Sequence, residues 1–203
     1  MANVNTPFGL KPQRGGGAYS FNEQGSLYSI PSTDNNAFYL YDAVKAAASS
    51  DANGVANVTK ITNGTDALRG SVIGILPVYP GVSIAATPLS LETSYIPATK
   101  AAAYYVLVDD DPTTVYTIQD NGVTTGNIVP ASANLNFSLS VAAGATTNSL
   151  SGTTILTSSF AATNTFCMKA IGLAQIPNNT YAAYAKWNAR INVSELTGSF
   201  VGV

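Results

Sequence analysis

Histidine is absent from this chain of 203 residues, cysteine and tryptophan occur once each, methionine twice, and only 10% of residues are charged. Each shortage removes some chemistry. Without imidazole there is no Ser-His-Asp or Cys-His nucleophile, no histidine-held zinc or haem, and no histidine general base. The lone Cys167 cannot close an internal disulfide, so the fold does not depend on oxidation and suits a reducing compartment. Nine Lys and Arg against eleven Asp and Glu, scattered singly, lack the clustered cations that nucleic acid binding requires. Disordered chains combine low hydrophobicity with high net charge, whereas this one is 46% apolar with a net charge of -2. Long apolar runs are missing too. The one tempting segment, 71–91, is broken by Pro77, Pro80 and Pro88 and reads as strands between turns, so no membrane is expected. The first residues, with no basic stretch leading into an apolar one, do not read as a secretory signal. Five N-x-S/T matches, at Asn57, Asn63, Asn136, Asn178 and Asn192, are what chance produces in a chain rich in Asn, Ser and Thr.

What is present is a series of short β-forming runs punctuated by turn residues about every ten positions. Runs at 27–30, 37–41, 55–61, 70–76 and 82–84 lead to 104–108 and 113–119, a pair that flanks Asp109-Asp110-Asp111-Pro112 and suggests a hairpin. Leu135, Phe137, Leu139 and Val141 share one parity, with Asn and Ser on the other, as in a one-sided strand. The run 166–173 precedes the cleanest alternation in the chain, in which Trp187, Ala189, Ile191 and Val193 share a face opposite Lys186, Asn188, Arg190 and Asn192. Alanine-rich stretches at 42–50 and 98–103 allow at most one or two short helical turns. The expected fold is all-β: a β-barrel or sandwich of short antiparallel strands over 27–203, with 123–165 open to reading as a separate β-rich insertion.

Residues 1–26 differ. Pro7, Pro12, Gly15 to Gly17 and Gly25 interrupt a segment whose apolar residues, Phe8, Leu10, Tyr19 and Phe21, follow no period. This is expected to be an extended N-terminal arm that orders on contact with a neighbour, with Pro7, Phe8, Leu10 and Pro12 as the contact residues.

Candidate chemistry is sparse. Asp109, Asp110, Asp111 and Asp120 are the only dense carboxylates and the weak candidates for a hard cation, but their spacing does not follow a calcium-loop pattern. No two carboxylates are marked as a glycosidase pair. Six tyrosines, Tyr39, Tyr41, Tyr104, Tyr105, Tyr181 and Tyr184, could stack on sugars or pack at strand ends. Cys167, between Phe166 and Met168, reads as an inert core residue. No catalytic residue, cofactor or metal is expected, and the chain is not expected to be an enzyme.

Taken in order, 5–12 (NTPFGLKP), 27–31 (LYSIP), 38–44 (FYLYDAV), 51–54 (DANG), 72–75 (VIGI), 103–119 around the Asp-Pro turn and 185–193 (AKWNARINV) resemble the head decoration or cement proteins of tailed bacteriophages. The resemblance spans nearly the whole chain, with 123–165 contributing little. It implies a β-rich, non-enzymatic structural virion protein on the outer capsid surface, made in the host cytoplasm. Its partners would be the major capsid protein and its own copies, as a homotrimer or another homo-oligomer, without direct contact to nucleic acid. A carbohydrate- or receptor-binding β-module, a major capsid protein and a tail-tube subunit are the alternatives.

Overall fold

The structure is a computed structural model, and it describes residues 3–14, 24–77, 94–123 and 126–197. The glycine run and aromatics at 15–23 and the strand expected at 82–84 lie outside them. The fold is all-β and mostly antiparallel. Among the described residues twelve strands follow one another: β1 (Lys11–Arg14), β2 (Ser26–Ile30), β3 (Ala43–Ser50), β4 (Ala56–Lys60), β5 (Gly70–Leu76), β6 (Tyr104–Asp109), β7 (Val115–Gln119), β8 (Asn136–Phe137), β9 (Leu139–Ser140), β10 (Thr154–Ile155), β11 (Met168–Leu173) and β12 (Lys186–Ile191). Two 3-10 turns, Pro130–Ser132 and Thr157–Ser159, are the helical content among the described residues.

Five strands form an open sheet in the order β1-β7-β12-β11-β8, antiparallel throughout. A second set, β2-β4-β3-β5-β6, returns on itself, its last join being one parallel bridge between Ser29 and Asn57. The two sheets pack as in a sandwich, so the expectation of a β-barrel for the whole domain is corrected: its strands do not close into one barrel. Closure needs every edge strand paired. Here β1 carries Pro12, which lacks an N–H, and a bulge between Pro12 and Arg14, while β8 spans only two residues. Among the described residues, pairing beyond β8 shrinks to one bridge between Asn136 and Ala161.

Alternation explains which residues meet. Trp187, Ala189 and Ile191 of β12 join Tyr116, Ile118, Phe137 and Met168 in the larger core. Val44, Val58, Val72, Val106 and Val108 make the core of the self-closing sheet together with Tyr28, Ile30, Phe38 and Ile96. Ala43, next to Val44 and pointing the other way, belongs to the larger core with Ile61 and Leu68, so that core lies between the sheets.

Three expectations change. The runs around Asp109-Asp110-Asp111-Pro112 are not a hairpin, because β6 lies in the self-closing sheet and β7 in the open one. The turn is a corner between sheets, held by the Tyr116 hydroxyl donating to the Asp109 carbonyl at 3.2 Å and by Asp111 Oδ1 accepting from the Thr113 N–H at 2.8 Å. The alanine-rich stretch at 43–50 is strand rather than helical turn, because pairing with β4 and β5 outweighs the weak helix propensity of so short a run. The one-sided strand 135–141 is cut at Ser138, with β8 joining β11 and β9 pairing with β10. Its Phe137 and Leu139, with Ile155 and Phe160, enter the larger core.

Candidate binding cleft

Residues 3–14 do not extend away from the body. Leu10 is fully buried in the larger core and Pro12 is buried in β1. The chain reaches Leu10 through Gly9, whose φ of +77° suits glycine, and whose absent Cβ would stand 2.3 Å from the Tyr41 carbonyl oxygen. The Leu10 N–H donates to that carbonyl at 2.9 Å, and the Ser71 hydroxyl donates to the Leu10 carbonyl at 2.6 Å. Further out, the Thr6 N–H donates to Gln119 Oε1 at 2.9 Å, and the Asn3 amide donates to the carbonyls of Thr180, Ala182 and Ala183. The segment is a strap tied at three points. Of the four expected arm contacts, Leu10 and Pro12 are therefore spent on the chain's own interior, and Pro7 and Phe8 remain partly exposed.

Under the strap is a cleft of about 540 Å³, its apolar walls formed by Pro7, Phe8, Leu150 and Ile176. Tyr41 also lines it. Its φ of 66° turns the chain, and Leu40 bridges Leu150 in parallel, which brings 148–150 to the cleft. The floor is the polar face of the open sheet. Thr117 and Gln119 lie on that face, yet they are 8% and 0% exposed because the strap covers them. Lys11 and Lys186 complete the lining.

Beside the cleft lies a buried ion pair. Lys60 Nζ stands 2.9 Å from Asp42 Oδ2, which also accepts the Tyr39 N–H at 2.9 Å, while the Ser151 hydroxyl donates to Oδ1. Burial pushes the Asp42 carboxyl upward, opposed by the Lys60 ammonium and these hydrogen bonds. The pair joins the start of β3 to β4 and to the 149–151 segment, and it is structural.

The four weak metal candidates are engaged separately. Asp109 is buried. Its Oδ1 accepts from the Thr114 hydroxyl at 3.2 Å, Oδ2 has no partner, and burial pushes its carboxyl up to about 6. Asp110 accepts from the Tyr28 hydroxyl at 2.8 Å, and burial together with that carboxylate raises the phenol to about 12. Asp111 serves the corner turn. Asp120 clasps the N–H groups of Gly122, Tyr184 and Ala185 at 2.8, 2.8 and 2.9 Å. Among the described residues, no three Asp, Glu, Cys or His side chains converge closely enough to hold a metal. Burial pushes the Cys167 thiol up to about 12, which leaves it un-ionised and unreactive at neutral pH.

The tyrosines do not form one platform. Tyr39 and Tyr105 are buried, Tyr39 stacks on Tyr95 with ring centres 5.2 Å apart, and Tyr181 meets the edge of Trp187. Sequence reasoning named Pro7, Phe8 and, among the stacking tyrosines, Tyr41, but missed Leu150 and Ile176 as their companions, because a bridge between positions 40 and 150 leaves no local signal. Lys186 was legible only as a member of the polar parity of β12. Comparison with family models, with curated proteins and with solved structures returns no match.

Proposed function

We propose that this chain is a non-catalytic structural protein of the bacteriophage virion, decorating the outer surface of the head and cementing the major capsid lattice by multivalent contacts. The observation that carries the reading is the strapped cleft, where Pro7 and Phe8 of the phage-like N-terminal stretch stand partly exposed over a hollow with apolar walls, in a chain only 10% charged. Such a surface can be covered by protein with little desolvation of ions. Binding to the assembled lattice stabilises it by mass action, and several modest contacts per subunit slow its loss. Self-association into a trimer or another homo-oligomer belongs to the same proposal.

Purified protein added to heads assembled without it should co-sediment saturably and raise the temperature at which the heads rupture. Absence of association at any concentration overturns the reading. Deleting 1–14 is a poor probe, since it removes Leu10 and β1 from the fold; the double variant Pro7→Ala, Phe8→Ala keeps both and should weaken head binding.

The cleft favours one second reading, a carbohydrate- or receptor-binding β-module, because its volume falls within the range of about 300–1,000 Å³ common for small-ligand sites. Retention on a glycan matrix, lost on Tyr41→Ala, with no affinity for heads, would select it.

A further inference from the structure

The outer face of the open sheet places two cations in the cleft in a defined relation. Lys11 of β1 stands opposite Thr117 of β7, and Thr117 stands opposite Asn188 of β12, so all three side chains leave the same face. Lys186 lies two residues from Asn188 on that face, opposite Gln119. The opposite face carries Tyr116, Ile118 and Trp187 into the core, which fixes both lysines outward. With strands about 4.8 Å apart and about 3.4 Å per residue, the two lysine Cα atoms are separated by on the order of 12 Å.

Neither lysine forms an ion pair among the described residues, where the three pairs engage Lys45, Lys60 and Arg69. Among the described residues no carboxylate lines the cleft, although acids outnumber bases in the chain as a whole. The local charge is therefore opposite in sign to the net charge, and the same cleft has an apolar wall that includes Ile176, 45% exposed.

We propose that the cleft is the docking site for an acidic extended segment of the shell protein, with two carboxylates about four residues apart and an apolar side chain between them. The spacing follows from the separation of the lysines and the rise of about 3.3 Å per residue of an extended peptide. The carboxylates pair with Lys11 and Lys186, and the apolar side chain fills the space against Phe8 and Ile176. Pairing with the outer edge of β1 contributes little, because Pro12 offers no N–H and the strand is bulged. A nucleic acid backbone fits less well, since two cations neutralise too few phosphates and the wall is apolar. The source of the segment rests on the reading of the chain as a head-decorating protein; the chemistry of the cleft does not.

The test is fluorescence anisotropy with a labelled peptide of about ten residues that carries two aspartates four apart around a leucine. The full chain should bind it saturably, and affinity should fall as salt rises from about 0.05 to about 0.5 M. Replacing the aspartates with asparagines, or making Lys11→Glu with Lys186→Glu, should weaken binding about tenfold or more. Lys11→Gln with Lys186→Gln is the milder pair should charge reversal disturb folding, and an unchanged far-ultraviolet spectrum shows that folding is intact. Equal affinity for the asparagine peptide, indifference to both lysine pairs, or tighter binding of a single-stranded oligonucleotide overturns the proposal. Peptide binding by a protein that ignores heads would overturn the decorating role and leave the cleft standing. Head binding unaffected by the lysine changes would do the reverse.

Discussion

The two sheets reach burial by different means. The open sheet packs large, irregular side chains, with Phe160 stacked at a tilt on both Trp187 and Phe137 at ring distances of 5.4 Å. The self-closing sheet is filled by five valines with Tyr28, Ile30, Phe38 and Ile96, and the Asp42–Lys60 pair ties the start of β3 to β4. Seven of the nine residues of that core are β-branched, as suits paired strands, and the ion pair leaves neither Asp42 nor Lys60 buried without a partner. The open sheet has room for aromatics because its core is shared: Ala43, Ile61 and Leu68 approach it from the other side. The larger core therefore holds the two sheets together, and the smaller core packs the self-closing sheet with the Phe38–Ile96 bridge beside it.

The strongest way to break this comparison is Trp187→Ala, expected to cost about 3–5 kcal/mol. Because its core is shared, hydrogen exchange should accelerate in both sheets; loss confined to β7, β11 and β12 would mean that the sheets are stabilised separately. Lys60→Met should cost about 3 kcal/mol by leaving Asp42, fully buried, without its cation, and Asp42→Asn added to it should recover much of that loss in urea denaturation. Failure to recover would move the role of the pair from charge to packing. Val58→Ala, inside the self-closing sheet, should cost about 2 kcal/mol and leave exchange in β11 and β12 unchanged.

The corner between the sheets supplies a pH-dependent probe. The native state raises the Asp109 carboxyl to about 6, above the value of about 3.9 for a free side chain, so it binds the proton more tightly than the unfolded chain does. Stability attributable to this group is therefore greatest below about pH 4, falls as pH rises towards 6, and stays reduced above that. Asp109→Asn should flatten the difference between urea midpoints at about pH 4.5 and about pH 7.5. An unchanged slope would show that the unpartnered Oδ2 is solvated and that the corner is less sealed than its burial indicates. The smallest effect belongs to Lys11→Gln with Lys186→Gln. Both lysines lie outside ion pairs among the described residues, so stability should move by less than about 0.5 kcal/mol while peptide binding falls.

Much of the strand content was legible because alternation is a local signal. Trp187, Ala189 and Ile191 face inward as their parity requires, and the runs at 27–30, 55–61, 70–76, 104–108 and 166–173 all contain strands. The cleft was legible only in half. Pro7 and Phe8 stood out as apolar residues without a period, but Leu10, chosen by the same reasoning, belongs to the core. A residue in a Gly/Pro-rich stretch carries no pattern that tells an anchor in its own fold from an anchor in a neighbour.

By itself the sequence determined the all-β class, the faces of the principal strands, the inertness of Cys167 and the lack of any histidine-based site, since each follows from residue type and spacing along the chain. Only the tertiary structure decided that the Asp-rich turn crosses between sheets, that one sheet stays open while the other returns on itself, and that the N-terminal stretch straps its own body. Those outcomes depend on which edges pair and which side chains meet across a hundred or more residues, as Thr6 meets Gln119. The same is true of the two lysines in the cleft, which neighbour each other only because β7 lies between β1 and β12.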